Sequence, residues 1–216
     1  MIKHPAVYSN DFIEIFASFL INKKTVLDPF GGTGKIALIK NFGFNGKVIC
    51  NEMEPEFTSN GLYPVDEWYY EDAEYLNILN IDAICTSPTY GNRMADHHNA
   101  KDNSKRITYT HYLGKQLKDG NTGKMQYGDT YKEKHKRIYL NLYNILNANG
   151  IFILNVSNHI RKGVEIDVIS FHKDTLINTG FSFIKEIKIE TKRMRYGNNS
   201  EKRVKHESIL VFEKIF

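Results

Sequence analysis

Apolar runs short enough to be strands alternate along this chain with stretches whose apolar residues recur at helical spacing. That alternation constrains the fold more than any other feature. KTVLDPF, GKVICNEME, IDAIC and IFILNVS are the strand-like runs. The helical ones are DFIEIFASFL, capped by Ser9, Asn10 or Asp11, and GGTGKIALIKNFG, ended by Gly43. YKEKHKRIYLNLYNILNANG, ended by Gly150, and VISFHKDTLINTG complete the set. Strands that alternate with helices build an open, mostly parallel sheet covered on both faces. Two further strands are expected in FSFIKEIKIET and HESILVFEKI, joined by a connection (192–205) too long for a tight hairpin. The aromatic-rich stretch 57–80 reads as irregular, with a short strand or helix around EDAEYLNIL. Residues 95–130 lack periodicity, and a loop of that length inside a compact domain is usually functional or disordered.

A chain of 216 residues fits one domain spanning 1–216, large enough to build its core without disulfides. No stretch reaches the apolar length of a membrane span and no secretory leader is apparent, so a cytoplasmic protein is expected. Cys50 and Cys85 lie inside apolar runs and read as buried thiols. The net charge of +4 is unevenly spread. Residues 93–136 and 192–206 each carry +5, which leaves the remainder at −6. Two basic segments on an acidic body point to a polyanion partner. Tyr109, Tyr112, Tyr127 and Tyr131 are interleaved with the first set of cations, in the pattern on which unpaired bases stack.

Ligands of open parallel sheets bind at the carboxyl ends of the strands. That rule puts Asp28–Gly34, Glu52, Asp72, Ser87–Tyr90 and Asn155–Ser157 on one rim. In DPFGGTGK, glycines directly after a strand let the backbone approach a ligand and present amides at a helix start. The spacing matches neither a phosphate-binding P-loop nor the dinucleotide fingerprint. Eighteen residues beyond Gly34, Glu52 ends the next strand, where an acid can accept both ribose hydroxyls. The ordered pair points to an adenosine-containing cofactor. Asp72 can hold the adenine amino group or simply cap its own loop. His97, His98 and His111 show no metal-ligand spacing with cysteine or carboxylate partners, so no metal is expected.

VLDPFGGTG, the acid in NEMEP, EDA and then TSPTYG resemble, in this order, the motifs of S-adenosylmethionine-dependent amino-methyltransferases acting on DNA. HPAVYS looks like the family segment that closes over the methionine end of the cofactor. The resemblance covers most of the chain and is weakest over 95–135. It implies a Rossmann-like class I methyltransferase fold of the α/β class, a seven-stranded sheet whose last two strands are an antiparallel pair. It also implies S-adenosyl-L-methionine as cofactor, held by Asp28, Pro29, Phe30, Gly31, Gly34, Glu52, Asp72 and Ala73.

Under the same resemblance Ser87, Pro88 and Tyr90 are the catalytic residues. A Ser87 hydroxyl and the Pro88 carbonyl accept hydrogen bonds from an exocyclic base amine, and Tyr90 stacks on the flipped base. Serine at this position goes in the family mostly with cytosine N4, which is therefore favoured over adenine N6. Thr89 stands where the family usually has a second proline, leaving the turn looser. Thr89, Asn92, Arg93, Arg193 and Arg195 are the expected substrate contacts, with Arg203 a further phosphate contact. Without a separate recognition domain, reading of the DNA falls to an insertion at about 93–136 and to 192–206, as suits a stand-alone modifying enzyme. Methylation of RNA, and a non-catalytic nucleic-acid-binding relative, are the alternatives.

Overall fold

The computed structural model describes residues 4, 9–58, 61–91, 108–190 and 204–216. Helix α1 (Asn10–Ser18) leads into strand β1 (Thr25–Asp28), the glycine turn and a 3-10 helix over Lys35–Phe42. Strands β2 (Lys47–Asn51), β3 (Glu67–Tyr69) and β4 (Ile81–Thr86) follow, then helices α2 (Tyr109–Leu113) and α3 (Asp129–Ile145). Strand β5 (Leu146–Val156), a small hairpin of β6 (His159–Arg161) and β7 (Val164–Ile166), helix α4 (Val168–Thr179) and strands β8 (Ser182–Glu190) and β9 (His206–Glu213) complete the described strands and α-helices.

Seven strands form one sheet in the order β3-β2-β1-β4-β5-β9-β8. Neighbours from β3 to β5 are parallel, and β9 runs antiparallel to both β5 and β8. The expected α/β fold with an antiparallel last pair is therefore observed. Side chains alternate across each central strand. Leu27, Ile49, Ile84, Phe152 and Leu154 face Ile138, Leu142 and Leu176 of α3 and α4. Val26, Val48, Cys50, Ala83, Cys85 and Ile153 face Phe12 and Phe16 of α1 and Ile36 and Ile39 of the 3-10 helix. Both faces are covered, which is why these strands read as continuous apolar runs. Both cysteines are buried and free, and burial pushes their thiols up from the ordinary range. Among the described residues no helix is long and apolar enough to cross a membrane.

Three local expectations need correction. The helix expected to run to Gly150 stops at Ile145, and Gly150 belongs to β5. Asn149 takes φ 58°, and the β4–β5 register jumps from Ile81↔Leu146 to Ala83↔Ile151. Asn149 N donates to Lys214 O (2.7 Å) and Lys214 N to Gly150 O (2.9 Å), so pairing with the chain beyond β9 claims this backbone. The short strand or helix expected around EDAEYLNIL is absent there, and the nearest strand, β3, lies upstream. Asp72 Oδ1 accepts from Glu74 N (3.0 Å), and that local bond favours a turn over a regular element. The segment after Gly34 is helical and ends at Gly43 (φ 91°) as expected, but with the tighter 3-10 winding.

Candidate active site

The sheet order reverses between β1 and β4, and a cleft of about 580 Å³ opens at the carboxyl ends of these strands. Asp28 ends β1 fully buried. Its Oδ1 accepts from Phe30 N (3.0 Å) and from Thr86 Oγ1 (2.6 Å), tying the glycine turn to the end of β4. Asn51, which the sequence did not mark, is a second tie. Its Nδ2 donates to Pro29 O (3.1 Å) and Glu71 O (2.9 Å), and its Oδ1 accepts from Glu71 N (2.9 Å).

Two glycines are required by geometry. A Cβ on Gly31 would lie 2.8 Å from Cys50 Cβ. Gly34 has φ +80°, and a Cβ there would lie 2.6 Å from Val65 Cγ2. Gly34→Ala is expected to destabilise the fold by about 2–4 kcal/mol, from backbone strain plus overpacking. Urea unfolding checks this, and an unchanged midpoint would contradict it.

Pro29, Phe30 and Gly31 line the cleft, as do Glu52, Asp72 and Ala73. Asp28 and Gly34 do not; they shape the turn from behind, one by hydrogen bonds and the other by packing on Val65 and Trp68. Glu52 Oε2 accepts from Gly32 N (3.0 Å) and Oε1 from Glu54 N (2.9 Å). A carboxylate oxygen has two lone pairs, so each keeps acceptor capacity toward the cleft. Burial pushes the Glu52 carboxyl up to about 7; the Glu54 and Gly32 amides pull the other way, and Glu54 and Asp28 add to the rise. Asp72 both caps its turn and lines the cleft, with Oδ2 held by the Lys134 ammonium, which also bonds Glu74 Oε2 (2.7 Å).

Part of the expected insertion closes one side of this cleft. Buried Glu54 accepts with Oε1 from Lys118 N (2.7 Å) and Asn121 Nδ2 (3.0 Å), and Leu117 and Gly120–Gly123 line the wall. Tyr131 is fully buried rather than displayed as a stacking platform, a correction to the expectation from its interleaving with lysines, whereas Tyr109, though largely buried, lines the cleft. Tyr109 packs edge-on against Phe57, and Tyr131 against His135 and His172. Tyr112 and Tyr127 are half-buried.

Ser87, Pro88, Thr89 and Tyr90, directly after β4, line the same cleft. Ser87 Oγ and Tyr90 Oη are 2.8 Å apart. Asn155 of β5 donates its Nδ2 toward Tyr90 Oη (3.2 Å), Glu207 Oε2 (3.1 Å) and, more weakly, Ser87 Oγ (3.4 Å). Glu190 and Glu207 bring two carboxylates to the cleft from β8 and β9. Glu190 ends β8 and Glu207 stands at the start of β9, and neither belongs to a motif that the sequence displays. Ser157 does not line the cleft; its one hydroxyl proton goes to the carbonyl of Asn158 (3.0 Å). Of HPAVYS only His4 and Ser9 are described, and both line the cleft. Asn92, Arg93, Arg193, Arg195, Arg203, His97 and His98 lie outside the described residues.

No protein-family model and no curated protein matches the sequence. Solved structures match the shape over nearly the whole chain. A methyltransferase from Pyrococcus furiosus superposes with a TM-score of 0.59 at 18% identity, covering 99% of this chain and 87% of its own. A SAM-dependent methyltransferase from Methanosarcina mazei gives 0.59 at 11% identity, covering 94% of this chain and 97% of its own. A precorrin-6y C5,15-methyltransferase from Geobacter metallireducens gives 0.55 at 11%, covering 99% and 94%. Identities this low speak to fold alone, and fold does not choose an acceptor. The protein has the Rossmann-like fold of class I methyltransferases, with a cleft at the carboxyl rim of the sheet.

Proposed function

We propose that the protein transfers a methyl group from S-adenosyl-L-methionine to the exocyclic amino group of a base in DNA, cytosine N4 ahead of adenine N6. The observation that carries this reading is the convergence of two walls on one cleft. The glycine turn and Glu52 form one, and the Ser87–Tyr90 turn with Asn155 forms the other.

The first wall suits the cofactor. The absence of a side chain at Gly32 keeps the space beside the cleft-lining His4 ring open, and the lone pairs left on Glu52 suit paired ribose hydroxyls. Bound here, S-adenosylmethionine would supply an electrophilic methyl: its C–S bond would break as the amine nitrogen takes the methyl, the neutral thioether leaving and the surplus amine proton passing to solvent. The second wall suits an amine. The lone pair of a base amine is delocalised into the ring and is a poor nucleophile. Acceptors at Ser87 Oγ and the Pro88 carbonyl would draw on its two N–H bonds and make the nitrogen more tetrahedral. No nucleophile on the enzyme is needed, and the rate comes from positioning and electrostatics. Tyr90 offers the stacking face for a base taken out of its helix. The preference for cytosine rests on the family resemblance at Ser87. DNA as acceptor rests on that resemblance and on the charge of the segments 93–136 and 192–206.

The test is labelled-methyl transfer to unmethylated genomic DNA followed by nucleoside analysis. Label on cytosine N4 is the expected result. Label on adenine N6 would keep the reaction and overturn the choice of base. Label confined to RNA, protein or small molecules would refute DNA as the acceptor.

A further inference from the structure

Pro88 fixes its own φ, but Thr89 keeps the torsional freedom a second proline would remove. The structure restrains Thr89 from outside. Tyr131 Oη lies 2.6 Å from Thr89 O and 2.8 Å from His172 Nε2, and Tyr139 Oη lies 2.6 Å from His172 Nδ1. Tyr131, Tyr139 and His172 are all fully buried.

Proton counting fixes the direction of every bond in this chain. A carbonyl only accepts, so the single phenolic proton of Tyr131 goes to Thr89 O. Tyr131 Oη must then accept from His172 Nε2–H. The neutral ring has its lone pair on Nδ1, which accepts from Tyr139. Burial, with His135 nearby, holds His172 well below the usual histidine range, so the ring is neutral at pH 7. Tyr131 itself is fixed by its helix: His135 Nδ1 donates to Tyr131 O (2.9 Å), and the two rings pack with centroids 4.0 Å apart. The hydroxyl that reaches the turn is therefore borne by a side chain with little freedom of its own.

We propose that Tyr131 is a positioning residue, clamping the Thr89 carbonyl through a buried Tyr139–His172–Tyr131 relay so that Ser87, Pro88 and Tyr90 keep one geometry without a second proline. The kinetic consequence rests on the methyl-transfer reading above; the relay itself rests on geometry alone. Tyr131→Phe keeps the ring packing, removes the clamp and leaves the buried His172 Nε2–H without its acceptor. It is expected to retain full cofactor stoichiometry and an affinity within about twofold, while turnover falls about 10- to 100-fold from misplacement of the acceptor wall. Unchanged turnover overturns the proposal. So does a loss of cofactor stoichiometry in proportion to turnover, which marks general unfolding.

A second measurement needs no variant and no substrate. In protein labelled with 15N-histidine, long-range proton–nitrogen correlation at pH 7 should show His172 as the Nε2–H tautomer. An Nδ1–H tautomer would turn the Tyr131 proton toward His172, leave Thr89 O without its donor, and overturn the relay. If the unmodified protein methylates no nucleic acid, the functional reading fails while this measurement still decides the relay.

Discussion

Ser87→Ala is expected to lower methyl transfer by about 10²- to 10³-fold, the loss seen when one preorganised hydrogen-bonding group is removed from a reacting centre. Cofactor affinity should stay within about twofold. Ser87 is tied to Tyr90 and Asn155, whereas Glu52 is tied to the glycine turn through Gly32 N. Structural side effects should be small, because Tyr90 Oη keeps the Asn155 Nδ2 donor at 3.2 Å after the serine hydroxyl is gone. Asn155 also keeps Glu207 Oε2 at 3.1 Å, so it has reason to hold its orientation. Single-turnover transfer and calorimetric titration of the cofactor separate the two effects. Undiminished transfer would move the chemistry away from Ser87. Lost cofactor binding would make the residue a structural support instead.

Much of the frame was legible because its signals are local. Val26 and Leu27, or Ala83 and Ile84, point to opposite covered faces, so the strands announce themselves as unbroken apolar runs. The glycine turn was legible for the same reason, since Gly31 and Gly34 answer a backbone demand made within a few residues. What escaped depends on partners far along the chain. Glu54 bonds Asn121 across 67 residues, and Glu207 bonds Asn155 across 52; neither spacing leaves a pattern. Tyr131 is the instructive case. Beside lysines it reads as a stacking platform, yet Tyr131, His135 and Tyr139 recur every fourth residue and share one helix face. That face is buried, and its phenols are satisfied by His172 of α4. An aromatic residue with a polar tip suits a wet surface or a dry network equally well, and only tertiary packing decides between them.

Glu52 should give the cleft two pH dependences of opposite sign. Its carboxyl is raised from 4.5 to about 7, with burial as the main cause. Only the carboxylate offers acceptors to paired hydroxyls while also accepting from Gly32 N and Glu54 N. Cofactor affinity should therefore be full above pH 7 and fall by about tenfold per unit below it. Stability of the ligand-free protein should run the other way. Between pH 4.5 and 7 the folded chain holds a proton that the unfolded chain has released. The folded state is favoured below that window and loses the advantage as pH rises through 7, by at most about 3 kcal/mol. Glu52→Gln should flatten both profiles. It should also weaken the cofactor about 10- to 100-fold at high pH, because the amide places N–H donors where one backbone N–H needs an acceptor. Calorimetric titration and urea unfolding across pH 5–8 read the two effects independently. Affinity that stays flat across this range, or a stability profile that survives in the glutamine variant, would assign the titration to another group and leave Glu52 without the role of ribose acceptor.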